Sequence, residues 1–338
     1  MTSMCRRRLL LAACAAIAAP AAPAAPAAPA APAAAHAGMQ GKPVIRILLG
    51  LPPGGGTDAI ARYFADRLPA LLDQPVIIES HVGVGGRIAA DMLMAARPDG
   101  LTYMIAPNAT PTFQTLVFGK QLKWDLWRDF APVAGLVSYP LGMAVRPDTG
   151  KDAQEFIRWA KSHPAEATFG TPGLGGQNHF LGMQFARAAG ITLTAAPYKG
   201  TPPMITDLVG GHVPAAVTLL DDMMKYHRSG KVRVIGIFSP KRSPLAPEIP
   251  TMAEQGVNMP FAEGWTAMWA PARTPPAELE RMQQALRKIL SAPGTATFLM
   301  QRLSVVPDYL NAADMARRQR AELATWEPII RSSGFRPE

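Results

Sequence analysis

Cysteine is nearly absent from this sequence. The 338 residues contain two, Cys5 and Cys14, and both lie in an N-terminal stretch that has the features of a leader. The rest of the chain therefore has no residue that could form a disulfide, act as a thiol nucleophile or supply a cysteine-ligated metal site. Its fold must be held by a hydrophobic core, for which about 300 residues are sufficient.

The sequence signatures of several enzyme classes are also missing. No glycine is followed by Lys-Ser or Lys-Thr, which excludes the phosphate loop of nucleotide hydrolases. Neither a Gly-x-Ser-x-Gly elbow nor a His-Glu-x-x-His helix occurs. The histidines are dispersed, His179 is typical of a capping or packing group, and the neighbours Asp221 and Asp222 are typical of a helix first turn. We predict no catalytic residue, no metal site and no cofactor, and therefore binding without chemistry.

The N-terminus has the features of an export signal. A basic start at residues 6–8 is followed by a short apolar run and then by an Ala-Pro low-complexity stretch. That stretch ends in Ala-His-Ala at residues 35–37, a pattern typical of signal-peptidase cleavage. We expect residues 1–37 to be removed and the mature chain to begin near Gly38.

Two kinds of N-terminal anchor are alternatives to a cleaved leader. Residues 11–14, Leu-Ala-Ala-Cys, resemble a lipobox with Cys14 as the lipid carrier, but the apolar run before it is shorter than such signals usually have. A transmembrane anchor is disfavoured because prolines begin at Pro20, whereas a span needs about 20 apolar residues. The lipid anchor stays open as the alternative.

Positive charge is in modest excess. The chain has 34 Lys and Arg against 25 Asp and Glu, a formal net charge of +9, of which the expected leader contributes Arg6, Arg7 and Arg8. The other basic residues are scattered and are not accompanied by a stacking-aromatic motif, so we expect no nucleic-acid partner. A mild positive field favours small anionic molecules.

Strand and helix patterns alternate along the chain. The apolar residues 44–49 predict a buried strand, and residues 75–79 predict the next one. Between them, apolar residues at helical spacing over residues 60–71 predict a helix. We expect Thr57 or Asp58 to cap this helix and Pro69 to shorten it. Such a βαβ unit implies parallel strands, and its repetition predicts an α/β fold with helices on both faces of the sheet. Further helices are predicted over residues 88–96, 153–162, 223–228, 276–291 and 312–331.

Three glycine-rich loops each stand between a predicted strand and a predicted helix, at residues 50–56, 83–87 and 171–179. Backbone amides at helix N-termini attract anions. The carboxyl ends of the strands in an open α/β sheet form the crevice in which ligands bind. We therefore expect the three loops to converge there on a small carboxylate.

An oxidoreductase is the alternative function, and a secreted interaction module is a third. Gly54, Gly56 and Ala59 have nearly the spacing of a dinucleotide-binding loop, and Glu79 ends the next strand, where an acid would hold the ribose. The prolines before the glycines and the export signal argue against this dinucleotide-dependent reading.

Seven blocks of sequence also point to a known family. They are LPPGGGTDAIAR, QPVIIESHVGVGGRIAAD, ARPDGLTYMIA, WRDFAPVAGLV, PYKGTPPMITDLVGGHV, SGKVRVIGIFSPKRSPLAPEIPTMAEQG and MWAPARTPP. Together they resemble the signature blocks of the periplasmic substrate-binding proteins of tripartite tricarboxylate transporters (TTT), often called Bug receptors. The resemblance covers nearly the whole chain beyond the leader.

This resemblance implies a fold and a function. The fold is a type II periplasmic-binding-protein fold of two doubly wound α/β lobes with a cleft and a hinge. Lobe 1 is expected over residues 43–140 and 240–338, and lobe 2 over residues 141–239. The function is that of a periplasmic solute-binding protein, a monomer and not an enzyme, which captures a small carboxylated organic acid for membrane permease subunits.

The resemblance also implies the residues that contact the ligand. In this family a carboxylate is held largely through backbone amides, small hydroxyls and bridging waters. Carried onto this sequence, the ligand-binding residues are Gly54, Gly55, Gly56, Thr57, Asp58, Pro107, Asn108, Gly173, Gly175, Gly176, Gln177, Asn178, Tyr198, Lys199 and Gly200.

The chain departs from the family's pattern at three places. Gly176, Gln177 and Asn178 stand where serines or threonines usually precede the histidine, Arg87 takes a position that is more often polar and uncharged, and Thr218 falls where an acid is common. A hydroxyl contact to the ligand is therefore lost or replaced by an amide, and the identity of the ligand is not predicted.

Overall fold

A sheet of ten strands organises residues 41–337, the part of the chain that the computed structural model describes. The expected leader, its cleavage site and both cysteines lie outside the described residues. The strands are β1 (Ile45–Leu49), β2 (Val76–Ser80), β3 (Thr102–Pro107), β4 (Phe130–Val145), β5 (Thr168–Thr171), β6 (Thr194–Pro197), β7 (Ala215–Leu219), β8 (Arg233–Ile237), β9 (Glu263–Pro271) and β10 (Val306–Leu310).

Helices connect most of these strands. Within the described residues the α-helices are α1 (Gly56–Ala65), α2 (Leu68–Leu72), α3 (Arg87–Ala95), α4 (Gln114–Phe118), α5 (Leu126–Asp129), α6 (Ala153–Ser162), α7 (Gln177–Ala189), α8 (Thr201–Gly210), α9 (Leu220–Arg228), α10 (Pro276–Ser291), α11 (Thr295–Arg302) and α12 (Ala312–Ser332). Ala109–Phe113 form a π-helical turn, and Val84–Gly86, Gly119–Gln121 and Ala253–Gln255 form 3-10 turns. None of the helices in this part of the chain is long and apolar enough to cross a membrane.

The sheet contains two groups of parallel strands. Its order is β2-β1-β3-β9-β4-β7-β5-β6, with β8 and β10 also paired to β4. β1 is parallel to β2 and β3, and β5 is parallel to β6 and β7, whereas β9 is antiparallel to both β3 and β4. The predicted βαβ units are confirmed, and the type II periplasmic-binding-protein fold is the one observed.

Strand β4 passes from one group of strands to the other. Its first part, Phe130 to Pro140, pairs with β9, and its last part, Leu141 to Val145, pairs with β7 on one side. The sequence did not predict this strand as one element of 16 residues. A continuous strand through both groups gives the chain one of its crossings between them.

In the first group of strands, side chains pack on both faces of the sheet. Ile47 belongs to a buried cluster with Phe64 of α1, whereas the next residue, Leu48, belongs to a separate cluster with Leu93 of α3 and Trp269. Successive residues of a strand point to opposite faces. Both faces are therefore covered, as predicted for an α/β sheet.

The second group of strands is built in the same way. Met143 packs with Phe156 of α6, and the next residue of β4, Ala144, packs with Met204 of α8. Trp326 of α12 is also buried in the Met143 cluster, although α12 begins among the residues of the first group. The C-terminal helix therefore contributes to the cores of both groups.

Helix α1 begins earlier than predicted. Its N-cap is Gly55, so the expectation that Thr57 or Asp58 would cap it was wrong, and Asp58 lies in the first turn. The helix ends at Ala65, before Pro69, which confirms the predicted shortening.

Candidate functional site

Three loops follow neighbouring parallel strands of the first group. They are residues 50–55 after β1, residues 81–86 after β2 and residues 108–113 after β3. Because β2, β1 and β3 run side by side in one direction, the three loops leave the sheet at the same edge.

Close contacts tie these loops together. A Cβ atom added to Gly50 would lie 2.4 Å from the Cα of Gly86, so the two backbones touch. The Gly85 carbonyl accepts a hydrogen bond from Thr110 Oγ1 at 3.2 Å and another from Gln114 Nε2 at 2.7 Å. The predicted convergence of the first two glycine loops is confirmed, and the segment after β3 joins them.

A hydrogen bond to the side chain of Asp58 closes the first glycine loop. Gly54 has φ +79°, and its N–H donates to Asp58 Oδ2 at 2.9 Å, where Arg62 Nε also donates at 2.8 Å. Asp58 is only 4% exposed, and the hydrogen bond from Arg62 is the main cause that holds its pKa below the usual value. The carboxylate of Asp58 therefore shapes the loop from inside.

The third glycine loop is closed by a histidine. Gly175 has φ +73°, and its N–H donates to His179 Nδ1 at 3.2 Å. His179 is buried, and burial lowers its pKa, which favours the neutral ring that this acceptor role requires. The interpretation of His179 as a capping or packing group is confirmed.

The two loops share one backbone design. In each, a glycine with positive φ is followed by an extended N-cap glycine, Gly55 at φ −81° and ψ 170° or Gly176 at φ −86° and ψ 170°. The residue four positions after the first glycine accepts its N–H. The sequence analysis missed this likeness, although the spacing Gly-Gly-x-x-acceptor at residues 54–58 and 175–179 is a signal that could have revealed it.

The shared loop conformation determines which backbone amides have no partner within the loop or the helix. The N–H groups of Gly54 and Gly175 are used inside their loops. The first-turn amides of a helix have no partner within the helix. The amides that remain for an anion are those of the predicted residues at the starts of α1 and α7, namely Gly56, Thr57, Gln177 and Asn178.

The segment at residues 198–200 lies beside the third loop. The Tyr198 N–H donates to the Thr171 carbonyl at 2.9 Å, and the Gly200 N–H donates to the Pro172 carbonyl at 3.2 Å. The Tyr198 hydroxyl donates to Asp207 Oδ2 at 2.9 Å, while Lys199 is exposed. The structure thus brings this predicted segment next to the residues it was expected to join.

A cavity of about 470 Å³ opens between the second loop, the third loop and the C-terminus. Its lining residues are Val84, Gly85, Arg87, Ala109, Phe113, Gln114, Val117, Phe118, Leu174, Gly175, Gly176, Phe335, Arg336 and Pro337. Of the predicted ligand residues, Gly175 and Gly176 lie on this wall, and those of the first loop, Gly54 to Asp58, do not. The walls formed by residues 113–118 and 335–337 were not predicted from the sequence.

The described residues give the cavity wall a positive charge. Their charged side chains at the wall are those of Arg87 and Arg336. The Arg87 guanidinium lies 4.1 Å from the centre of the Phe118 ring, and its Nε donates to the Val84 carbonyl at 3.3 Å. The aromatic ring and the carbonyl hold this cation at the cavity, a placement that favours an anionic ligand.

Glu79, which the oxidoreductase alternative requires, is engaged elsewhere. Arg46 donates to its two oxygens from Nε and Nη2, both at 2.7 Å, and His81 Nε2 lies 3.2 Å from Oε2. The Arg46 hydrogen bonds are the main reason that the pKa of Glu79 falls to about 2. Glu79 therefore ties β1 to β2. In the part of the chain that the structure describes, no three metal-ligating side chains are grouped for an ion.

Comparison with known proteins decides the family. A family model described as "Tripartite tricarboxylate transporter family receptor" matches residues 60–335. The chain belongs to this family of receptors. Receptors of the family are periplasmic solute-binding proteins, so the protein is a binding protein and not an enzyme, which sets the oxidoreductase alternative aside.

Individual relatives agree with the family assignment. The receptor is 30% identical over 293 residues to protein BugT of Bordetella pertussis (strain Tohama I), covering 86% of this chain and 89% of BugT. The structure of R. palustris Rpa4515 with adipate superposes with a TM-score of 0.77 at 27% identity, covering 88% of the receptor and 100% of that chain. The structure of MatC (Rpa3494) from Rhodopseudomonas palustris with bound malate superposes with a TM-score of 0.72 at 26% identity. The match covers 85% of the receptor and 98% of that chain.

Asn108, another predicted ligand residue, turns its side chain toward the carboxyl of Glu322 on α12, whose side chain is 16% exposed. Asn108 Nδ2 donates to Glu322 Oε2 at 3.4 Å, and Trp265 Nε1 donates to Glu322 Oε1 at 2.6 Å. Arg318 Nε lies 3.8 Å from Oε1. Burial raises the pKa of Glu322 from 4.5 to about 7, against the lowering by Trp265 and Arg318.

Glu322 is expected to make the stability of the receptor depend on pH. Between about pH 4.5 and pH 7 the folded protein binds a proton that the unfolded chain has released, so the free energy of unfolding falls as the pH rises through this window. Glu322→Gln cannot ionise and keeps an acceptor for Trp265. It should be more stable than the native protein at pH 8, by up to about 3 kcal/mol, and nearly equal to it at pH 5.

Melting temperatures at the two pH values test this expectation. The matched control is Glu327→Gln on the same helix, where the carboxylate is 48% exposed and pairs with Arg331 at the surface. A Glu322→Gln difference that is the same at pH 5 and pH 8 would contradict the role assigned to the Glu322 carboxyl.

Proposed function

We propose that the receptor captures a small carboxylated organic acid between its glycine loops and delivers it to membrane permease subunits of a tripartite tricarboxylate-type transporter. The observation that carries the proposal is the shared design of residues 54–58 and 175–179, in which an N-cap glycine with no side-chain cap begins each helix and leaves the first-turn amides available to a ligand. The related structures that hold adipate and malate, both dicarboxylates, support it.

The proposed contacts are those of backbone amides to carboxylate oxygens. A Cβ atom at Gly56 or at Gly176 would have no atom within 4 Å, so the backbone at both helix starts is open to a ligand. Helix N-termini favour anions, and hydrogen bonds to an ionised acceptor are stronger than those between neutral groups. The predicted residues around these starts, among them Gly173 and Tyr198, complete the proposed site.

Capture is proposed to close the cleft. The expected lobes, residues 43–140 with 240–338 and residues 141–239, are joined through β4 and through the chain after β8. Closure of two lobes about such crossings is a hinge motion. Small-angle X-ray scattering should show a smaller radius of gyration with a saturating carboxylate than without it. An unchanged radius, after removal of any copurified ligand by unfolding and refolding, would count against a moving cleft.

The cellular location and the oligomeric state of the receptor are proposed from the sequence. Residues 1–37 export the chain to the periplasm, where it acts as a monomer without a cofactor and without nucleic acid. The intact mass of the exported form should correspond to a start near Gly38, and a lipid on Cys14 would contradict it.

A thermal-shift panel tests the binding function. Malate, adipate, glutamate, benzoate and cinnamate are each added to the secreted protein, with adipamide as the uncharged match for adipate. A carboxylate at about 100 times its dissociation constant should stabilise by about 2.7 kcal/mol, or about 5 °C. A shift from adipamide as large as a measurable shift from adipate, or no shift from any carboxylate, would overturn the proposal.

A further inference from the structure

The walls of the cavity between the second and third glycine loops are mainly carbon. Phe113, Val117, Phe118, Leu174 and Phe335 contribute side chains to it. Its volume of about 470 Å³ lies in the range of sites that bury ligands with substantial apolar bodies. A four-carbon hydroxy acid would leave most of this apolar wall without a partner, so the wall favours a larger and less polar ligand.

The charge of the wall excludes a second class of ligand. Among the described residues, the ionised side chains that line the cavity are the two arginines, Arg87 and Arg336. The ammonium group of an amino acid would therefore be repelled by both cations, with no carboxylate among the described lining residues to offset the repulsion. A carboxylate without an amine fits this charge pattern.

An aromatic ring lies directly against the third glycine loop. A Cβ atom at Gly175 would lie 2.7 Å from the Phe335 ring, so this ring covers the loop next to the amides at the start of α7. Phe335 is itself held edge-on by Phe180, with ring centres 5.7 Å apart at 90°. A carboxylate bound at those amides would place its first ring beside Phe335, where edge-to-face or offset contacts are favourable.

We propose that the ligand of this receptor is a carboxylate whose body is an aromatic ring. The inference rests on the proposed function, since it assumes that a carboxylate is captured at these loops. The ring lies between Phe335 and the wall of Phe113, Val117, Phe118 and Leu174, and the carboxylate points to the start of α7 with Arg87 nearby.

Isothermal titration calorimetry of the secreted protein tests the ligand class. The probes are cinnamate, octanoate, malate and glutamate, which separate an aromatic body, an aliphatic body, a polar body and an amine. Cinnamate is expected to bind at least tenfold more tightly than malate and glutamate, and more tightly than octanoate.

Two variants test the wall itself. Phe335→Leu keeps an apolar side chain but removes the ring, and it should weaken cinnamate about fivefold without weakening octanoate. Leu174→Ser, at a side chain that is 53% exposed, should reduce the preference for cinnamate over malate about fivefold. The matched control is Val44→Ser, exposed at 40% just before β1, at the end of that strand away from the glycine loops, which should change neither affinity.

The outcomes separate the two proposals. Tighter binding of cinnamate, with the two variant effects, supports the aromatic ligand. Binding of malate, glutamate or octanoate as tightly as cinnamate overturns the aromatic ligand and leaves the carboxylate function standing. Binding of none of the four acids to a protein that melts cooperatively overturns the aromatic ligand, and it overturns the carboxylate function as well if no carboxylate of the thermal-shift panel stabilises the protein.

Discussion

Replacing Gly176 by valine is expected to weaken carboxylate binding at least tenfold with little loss of stability. Gly176 has φ −86° and ψ 170°, a conformation that valine adopts readily, and a Cβ there would meet no atom within 4 Å. The side chain would instead extend into the crevice and keep the ligand from the α7 amides. Loss of one charge-assisted hydrogen bond corresponds to about 1.5–3 kcal/mol.

The glycine of this loop that has a positive φ is Gly175 and not Gly176, so valine at Gly176 brings no backbone strain. A valine at Gly175 would also strike Phe335, so a lost affinity there could come from a distorted loop. Gly176→Val avoids both complications, although a poorer N-cap should still lower its stability by up to about 1 kcal/mol.

Calorimetry on Gly176→Val and Arg87→Ala with the same carboxylate decides which group anchors the anion. The backbone account expects the larger loss for Gly176→Val, because Arg87 lies at the cavity wall and adds a general attraction. If Arg87→Ala abolished binding while Gly176→Val bound like the native receptor, the guanidinium would be the anchor. Both variants must melt cooperatively for the comparison to count.

Replacing Gly50 by alanine is expected to be the most destabilising of the substitutions considered. The new Cβ would lie 2.4 Å from the Cα and 2.9 Å from the carbonyl oxygen of Gly86. These are backbone atoms, which cannot rotate away as the end of a side chain can, so the first two glycine loops must move apart. Overpacking of this kind costs about 3 kcal/mol, which corresponds to a fall in melting temperature of about 6 °C.

Gly56→Ala is the matched control for this variant. It makes the same chemical change at the start of α1, where a Cβ would meet no atom within 4 Å and alanine is the better helix former. Melting temperatures of the two variants, measured without ligand, are compared with that of the native protein. Equal melting temperatures for Gly50→Ala and Gly56→Ala would show that the two loop backbones are not in the contact described.

The exact bounds of a helix could be predicted where the sequence contains both a capping or N-terminal proline signal and a regular apolar face. α6 spans Ala153–Ser162 as predicted, because Asp152 accepts the Glu155 N–H as an N-cap and the apolar residues keep one face. α10 spans Pro276–Ser291 as predicted, with proline at the first position, where its missing N–H is not needed. In contrast, α9 begins at Leu220 and not at Met223, since Leu219 gives no side-chain cap signal.

The segment after β3 could not be assigned from local pattern. Ala109–Phe113 form a π-helical turn in which Thr110, Thr112 and Phe113 are all buried, so no helical or strand periodicity appears in the sequence. Long-range contacts hold the turn in place, among them the hydrogen bond from Gln319 of α12 to Thr112. Those contacts depend on the whole fold.

Part of the candidate site followed from sequence and part did not. Glycine spacing at strand ends correctly indicated loops that lead into helix N-termini, because this pattern is local. The inward roles of Asp58 and His179 depend on the loop conformation, and the contact of Phe335 with Gly175 joins distant parts of the chain. The predicted ligand residues, from Gly54 to Gly200 and including Pro107 and Lys199, all stay predictions.

A crystal structure of the receptor with the tightest-binding carboxylate of the panel tests the central claim most directly. We expect both helix starts to contribute, with carboxylate oxygens within about 3 Å of amides among Gly56 and Thr57 and among Gln177 and Asn178. A carboxylate held by side chains alone, or bound away from the residues that begin α1 and α7, would contradict the account.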